Sequence, residues 1–423
     1  MVPSFLTASS SKGTLLHEKL IRTQNRKSIA CSSRHPLVKE MGRYENIALA
    51  DMWQDIQGAH SWNGLLDPIS PVFKAEILRY GDFAELCYDA FDSELLMNGY
   101  GGAKYSPDKL FDSCEMAGDS QYYPKGYKVT KYLYADTDIL GRKIEQSVWI
   151  GFIAVCTDTQ EIRRLGRRDI VVAWRGTQTA QEWIEDARDI LVPARLSITP
   201  LKHKRIGAGL SSTAPFNDNG VRVEEGFLSC YTSHGDNSIS ARDTVISEIL
   251  RLVDEYKEEN LSVTLTGHSL GAALATLSSY DVKKNLNANL PGQPIPVTVF
   301  TFASPRVGNR AFALRMAEVG VKVLRLVNKN DIVPKVPGLV FNENCWTWLS
   351  QMLDWFPWTY FHVGVKIVLN NNDSPILKEL HNLDPAYAHS LKNYLHLIDG
   401  YVGNGKPFKS SGNRDPAPVA ATY

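Results

Sequence analysis

The sequence predicts an α/β protein with a mostly parallel central sheet flanked by helices, and three observations carry that prediction. Between residues 240 and 327, apolar β-branched runs alternate with segments of helical period, in the order helix, strand, helix, strand, helix, strand. One strand-to-helix junction reads Gly267-His268-Ser269-Leu270-Gly271, a turn that lifts a serine clear of a sheet. The composition, 43% hydrophobic and 22% charged over 423 residues, is that of a globular chain.

The elements follow in order. Residues 71–92 read as an amphipathic helix, with Phe73, Ile77, Leu78, Phe83 and Leu86 on one face. Residues 149–156 and 169–174 are apolar runs joined by the basic turn Arg163-Arg164-Leu165-Gly166-Arg167-Arg168, which predicts a hairpin. A helix over 240–256 starts at a Ser240/Asp243 cap and buries Val245, Ile249, Leu252, Val253 and Tyr256. Then come a strand at 261–266, a helix from 270 to about 282, a strand at 297–302, a helix at 309–319 and a strand at 321–327. Such spacing builds βαβ units. Residues 44–402 are therefore expected to form a single domain, and 403–423, rich in Gly, Pro, Ser and Ala, a disordered tail.

Charge narrows the function. Lys+Arg and Asp+Glu both number 46, which argues against a dedicated nucleic-acid binder. The imbalance is local: residues 1–43 hold eight Lys/Arg, two Asp/Glu, seven Ser and three Thr. A basic, hydroxyl-rich, acid-poor start is the pattern of an organelle transit peptide, with small residues around Ala30 where it could be cut. The longest apolar run, Val148–Cys156, has nine residues, short of the ~20 a membrane-spanning helix needs. None of the six cysteines lies in a C-x-x-C pair. No cluster of metal ligands stands out, so neither metal nor cofactor is expected.

Ser269 is the candidate nucleophile. A strand enters its turn, a helix leaves it, and the flanking glycines allow close backbone approach. Serine is too weak an acid to attack unaided, so it needs a His base and an acid that orients the base. Asp331, beyond the strand at 321–327, sits where such sheets place catalytic loops. Four histidines follow, His362, His381, His389 and His396, and spacing does not choose among them. His362 opens an alternating run and reads as a strand residue. His268, the variable position of the pentapeptide, is given no proton-transfer role.

These residues carry a resemblance. The elbow, Trp174-Arg175-Gly176-Thr177, Ala303-Ser304-Pro305-Arg306-Val307-Gly308 and the 331–334 turn resemble the lipase class 3 family. Met52-Trp53-Gln54-Asp55-Ile56-Gln57-Gly58, Arg79-Tyr80-Gly81 and Cys87-Tyr88-Asp89-Ala90-Phe91-Asp92 are similar to its plastid-type plant phospholipase A1 branch. The resemblance implies an α/β-hydrolase fold and a Ser269–Asp331–His389 triad. It also implies an oxyanion hole from the Leu270 N–H and Thr177. The implied activity is hydrolysis of the sn-1 ester of glycerophospholipids, extending to galactolipids, by an acyl-enzyme in plastids at a membrane lipid surface. Two other readings stay open: a triacylglycerol or monoacylglycerol lipase on the same fold, and a non-catalytic signalling scaffold. Two apolar segments are further candidates for a rim that meets lipid. One is 341–361 with Trp346, Trp348, Trp355 and Trp358; the other is Trp183, Ile184, Ala187, Ile190 and Leu191. Permanent packing on the sheet is the alternative for both.

Overall fold

Seven strands line up in the order in which the chain makes them. The computed structural model describes residues 48–92, 101–117, 124–135, 147–177, 190–199, 220–234, 239–337, 359–380 and 385–418. The strands are β1 (Tyr127–Ala135), β2 (Val148–Cys156), β3 (Arg168–Trp174), β4 (Leu261–His268), β5 (Val297–Phe302), β6 (Lys322–Asn328) and β7 (Val365–Leu369). Their spatial order is β7-β6-β5-β4-β3-β2-β1. From β3 to β7 all neighbours are parallel, and the β1–β2 and β2–β3 pairs are antiparallel. This is the expected fold class. Every residue of β2 and β4 is buried, as in a sheet covered on both faces.

The helices include α1 (Pro71–Asp89), α2 (Thr159–Leu165), α3 (Glu225–Thr232), α4 (Ala241–Glu255), α5 (Leu270–Asn289), α6 (Arg310–Val319) and α7 (Leu391–Gly400). Strand alternation sorts them onto the two faces. Ile170, Val172, Trp174, Val263 and Leu265 join one core with Phe227 and Tyr231 of α3, Val245 and Ile249 of α4, and Leu274 and Leu277 of α5. The intervening Thr264 and Thr266 face α1, where both hydroxyls hydrogen-bond Tyr80. Helix α7 packs on α1, which Gly81 permits: a side chain there would run into Leu395 and the Phe302 ring.

Beneath α1 lies a fully buried carboxylate. Asp169, at the start of β3, accepts hydrogen bonds from Tyr80 (2.9 Å), Tyr127 (2.9 Å), Ser262 (2.8 Å) and Thr264 (3.0 Å), with Arg79 at 3.4 Å and Arg167 at 4.0 Å. Burial opposes its ionisation, but Arg167, Arg79 and the hydroxyls outweigh that and hold its carboxyl below the usual range.

Three expectations are corrected. The basic turn of the hairpin is helix α2, because Asp158 caps it by accepting from Gln160 and Glu161 N–H, and Gly166 closes it at φ 71°. The capping pattern Asp158/Glu161 is the local signal for it. His362 precedes β7 rather than lying in it. Residues 403–418, expected to be a disordered tail, pack on the domain through polar contacts and the Phe408 ring, which lies against Gly400 and His396 of α7. Arg414 forms a two-pronged pair with Asp82 of α1 (2.7 and 2.8 Å), and Ser410 and Ser411 bond Asp399 of α7. Residues 1–43, read as a transit peptide, lie outside the described residues.

The Asp82–Arg414 pair is largely buried, with side chains 4% and 10% exposed, and burial still pushes the Asp82 carboxyl up to about 6 against the pull of Arg414. Arg414→Met should lower unfolding free energy by about 3 kcal/mol, and adding Asp82→Asn should recover part of it, measured by urea denaturation. Glu85 of α1 is also buried, and burial first, then the charges of Asp89 and Asp82, push its carboxyl up to about 7. The folded state thus holds that proton more tightly than the unfolded chain, where Glu titrates near ~4.3. Its contribution is full at low pH and is lost as pH rises through 7. Glu85→Gln should therefore flatten the fall in stability between about pH 4 and 7.

Candidate active site

The parallel registers bring four strand ends to one edge. Trp174 pairs with Gly267, His268 with Phe302, Phe302 with Leu326, and Asn328 with Leu369. The 175–177 turn, Ser269, Ala303-Ser304 and Asp331 therefore leave the sheet side by side, where open α/β sheets bind ligands.

Ser269 sits between β4 and α5 with φ 58° and ψ −126°, a conformation that costs a non-glycine residue energy and persists only when its surroundings enforce it. The enforcement is close packing. A Cβ on Gly267 would fall 2.9 Å from the Ala272 nitrogen, and one on Gly271 2.9 Å from the Arg175 carbonyl carbon. Ser269 N–H donates to the Phe302 carbonyl (3.0 Å), which anchors the turn to β5. The serine is fully buried, and its Oγ has no hydrogen-bond partner among the described residues.

His389 Nδ1 lies 2.8 Å from Asp331 Oδ2. Asp331 is fully buried and further held by Val333 N–H at Oδ1 (2.9 Å) and the Tyr394 hydroxyl at Oδ2 (2.7 Å). Burial, and then the charge of Asp331, raises the Tyr394 hydroxyl well above its ordinary range, so it stays a donor. With Asp331 accepting at Nδ1, the His389 proton belongs there and Nε2 is left to accept. Nε2 is buried without a partner among the described residues, as is Thr177 Oγ1. Three unpartnered polar atoms, one on each of the Ser269, His389 and Thr177 side chains, are what a site waiting for an ester would leave. The Leu270 N–H, first in α5, is one of those a helix leaves for an outside acceptor.

The 175–177 turn is fixed by Arg175. Its guanidinium donates to the Trp149 carbonyl (3.0 Å) and Gly176 carbonyl (3.0 Å) and lies 3.8 Å from the Phe91 ring centroid. Burial lowers it to about 10, so it remains a cation at neutral pH.

The other histidines are engaged elsewhere. His396 bonds Ser374 Oγ (2.8 Å) and the Arg414 carbonyl (2.7 Å) through its two nitrogens. His362 Nε2 bonds the Pro334 carbonyl (2.8 Å), and burial lowers its pKa well below 6.5. His381 lies outside the described residues, as do Trp183, Ile184, Ala187, Trp346, Trp348, Trp355 and Trp358 of the two apolar segments. Two residues of the site had no role in the sequence reading: Tyr394, five after His389, and Tyr88, quoted in a motif, whose hydroxyl lies 2.7 Å from His268 Nδ1.

Fold and site together define an α/β-hydrolase of the serine type. Residues 171–341 match the lipase (class 3) family. Phospholipase A1-Igamma1, chloroplastic, from Arabidopsis thaliana is 42% identical over 395 residues, covering 89% of this chain and 72% of that protein. Phospholipase A(1) DAD1, chloroplastic, from the same plant is 40% identical, covering 87% of this chain and 80% of that protein. Galactolipase DONGLE, chloroplastic, also from Arabidopsis thaliana, is 39% identical, covering 84% and 71%. The chain belongs to the lipase class 3 family, within its group of chloroplastic plant acyl hydrolases.

The packing at the elbow leaves no room for a methyl group. Gly271→Ala should cost about 1–3 kcal/mol in chemical denaturation, because the added carbon meets the Trp174 carbonyl, a backbone group that cannot rotate away.

Proposed function

We propose that this chain is a phospholipase A1 that cleaves the sn-1 ester of membrane glycerophospholipids through an acyl-enzyme on Ser269. The observation that carries this reading is the His389–Asp331 pair, its ring 4.6 Å from that of His268, the residue before a strained serine whose own oxygen is unpartnered among the described residues. His389 Nε2 takes the Ser269 proton as Oγ attacks the ester carbonyl, and Asp331 balances the imidazolium that forms. The Leu270 N–H and Thr177 meet the oxyanion, each donor contributing about 3 kcal/mol. His389 then gives its proton to the departing lysolipid oxygen. Water, deprotonated by the same nitrogen, releases the fatty acid.

Phospholipids lead the substrate assignment because the relatives of higher identity carry that name, and the relative named a galactolipase makes galactolipids a further substrate. Plastids are the place of action, given the chloroplastic relatives, with residues 1–43 as the transit peptide. Such substrates lie in membranes, so the enzyme works at a lipid surface. Ile332, adjacent to Asp331, is 48% exposed and suits contact with that surface. Among the described residues, no helix is long and apolar enough to cross a membrane.

On phosphatidylcholine vesicles with distinguishable acyl chains, the protein should release the sn-1 chain first. Ser269→Ala and His389→Ala should each lose many thousand-fold in kcat. His396→Ala should keep measurable turnover, since its nitrogens serve Ser374 and Arg414. A Ser269→Ala protein with a tenth of normal turnover would remove the serine from the mechanism. Release of both chains at equal rates would remove the sn-1 assignment alone.

A further inference from the structure

His268 stands beside the nucleophile and is tied to both halves of the site. Its Nδ1 lies 2.7 Å from the Tyr88 hydroxyl, and its Nε2 lies 2.7 Å from the His389 carbonyl oxygen. The two histidine rings pack with centroids 4.6 Å apart, tilted by 39°. A carbonyl can only accept, so Nε2 carries the proton and donates it. In a neutral ring Nδ1 then accepts, and Tyr88 is its donor. The ring is neutral: burial first, then the imidazole of His389 beside it, lowers its pKa well below 6.5.

The chain of contacts continues past Tyr88. The Gly176 backbone hydrogen-bonds the Tyr88 hydroxyl, so that hydroxyl both receives and gives. Gly176 is pressed so closely on it that a Cβ there would overlap the Tyr88 oxygen, and would also lie 2.6 Å from the His268 carbonyl. Gly176 directly precedes Thr177, and His268 directly precedes Ser269. One line of hydrogen bonds thus runs from the turn bearing Thr177, through Tyr88 of α1 and the residue before the nucleophile, to the backbone of the base.

We propose that Tyr88 and His268 are positioning residues that set the distance between the oxyanion turn, Ser269 and His389, acting through the imidazole as a rigid two-ended spacer. This rests on the serine-hydrolase reading above. The His389–Asp331 bond fixes the ring of the base from one side, while the His268 bond fixes its backbone from the other. If Tyr88 no longer donates, only the His389 carbonyl favours the Nε2–H tautomer, and the ring loses its anchor on α1. The alternative tautomer sets a lone pair against the His389 carbonyl and pushes the base off line. Misplacement of about 1 Å can cost on the order of a hundredfold in rate, so even partial displacement is measurable.

The two nitrogens can be separated by amide side chains. Glutamine reaches to the place of Nε2 and can still donate to the His389 carbonyl. Asparagine reaches only to the place of Nδ1 and keeps contact with Tyr88 alone. Turnover on a soluble short-chain ester should be measured per active site, with sites counted by a chromogenic phosphonate. The proteins are wild type, Tyr88→Phe, His268→Gln, His268→Asn and Ser269→Ala. Tyr88→Phe and His268→Asn should lose roughly tenfold or more in kcat per titrated site, with KM changed less than about twofold and slower phosphonylation. His268→Gln should stay within about threefold of wild type. Equal loss in His268→Gln and His268→Asn would overturn the spacer, as would a Tyr88→Phe protein with fewer titratable sites but normal kcat per site. That last pattern is a folding role only. Ser269→Ala separates the two claims: if it is active the hydrolase reading fails, and if it is inactive while Tyr88→Phe is normal, only the spacer fails.

Discussion

The carboxylate of Asp169 sets the register of α1 on the sheet, and the geometry of the site follows from that register. An ionised group buried at the start of β3 must be compensated, and its partners come from three directions: Arg79 and Tyr80 on α1, Tyr127 on β1, and Ser262 and Thr264 on β4. Sliding α1 by one turn would withdraw Arg79 and Tyr80 together and leave the charge to Arg167, Tyr127, Ser262 and Thr264 alone. With Tyr80 held at Thr264, Tyr88 falls at His268. Eight helical residues rise about 12 Å and four strand residues about 13 Å, so the two elements keep step from the buried charge to the nucleophile.

The sheet thereby divides its labour along its length. Its N-terminal edge carries the charge network that fixes helix positions, and its C-terminal edge carries the loops where chemistry is placed. Parallel pairing forces this, since every strand from β3 to β7 ends on the same side. It also creates a gap. Ser269 leaves β4 and Asp331 follows β6, with β5 between them, so the strand ends stand roughly 10 Å apart. A carboxylate cannot reach the serine across that distance. The imidazole of His389, delivered from outside the sheet just before α7, is the bridging piece, and Asn328 helps seat it by donating to the Ala388 carbonyl (3.0 Å).

Local features were readable in the chain and long-range ones were not. The elbow at Ser269 announces itself through two glycines whose need is steric and immediate, and β4 to β6 through β-branched runs with no competing pattern. Asp331 was reachable because it follows a recognisable strand. Helix α2 was hidden by its own arginines, which read as a solvated tip, although Asp158 and Glu161 formed a cap in plain view. His389 could not be separated from His396 by spacing, because what distinguishes them is a partner 58 residues away in one case and Ser374 and Arg414 in the other. Tyr88 and His268 sat in quoted motifs, but their relation spans 180 residues and exists only once α1 is seated. The segment 403–418 misled by composition: it is held by the carboxylates of Asp82 and Asp399 and by the single ring of Phe408, partners that its Gly, Pro and Ser content does not reveal.

That last attachment orders events in time as well as in space. Asp82 and Arg414 are 332 residues apart, nearly the full described chain. At a synthesis rate of about 5–20 residues per second, the first partner waits roughly 20–60 s for the second. In the later part of that interval, once β1, β3 and β4 have been made, α1 can lean on the sheet through Asp169, yet its Asp82 face stays wet and its groove for α7 stays empty. Under the proposed triad the nascent chain holds its serine turn long before its base, since His389 follows Ser269 by 120 residues, and the strap behind them is the last part to be made.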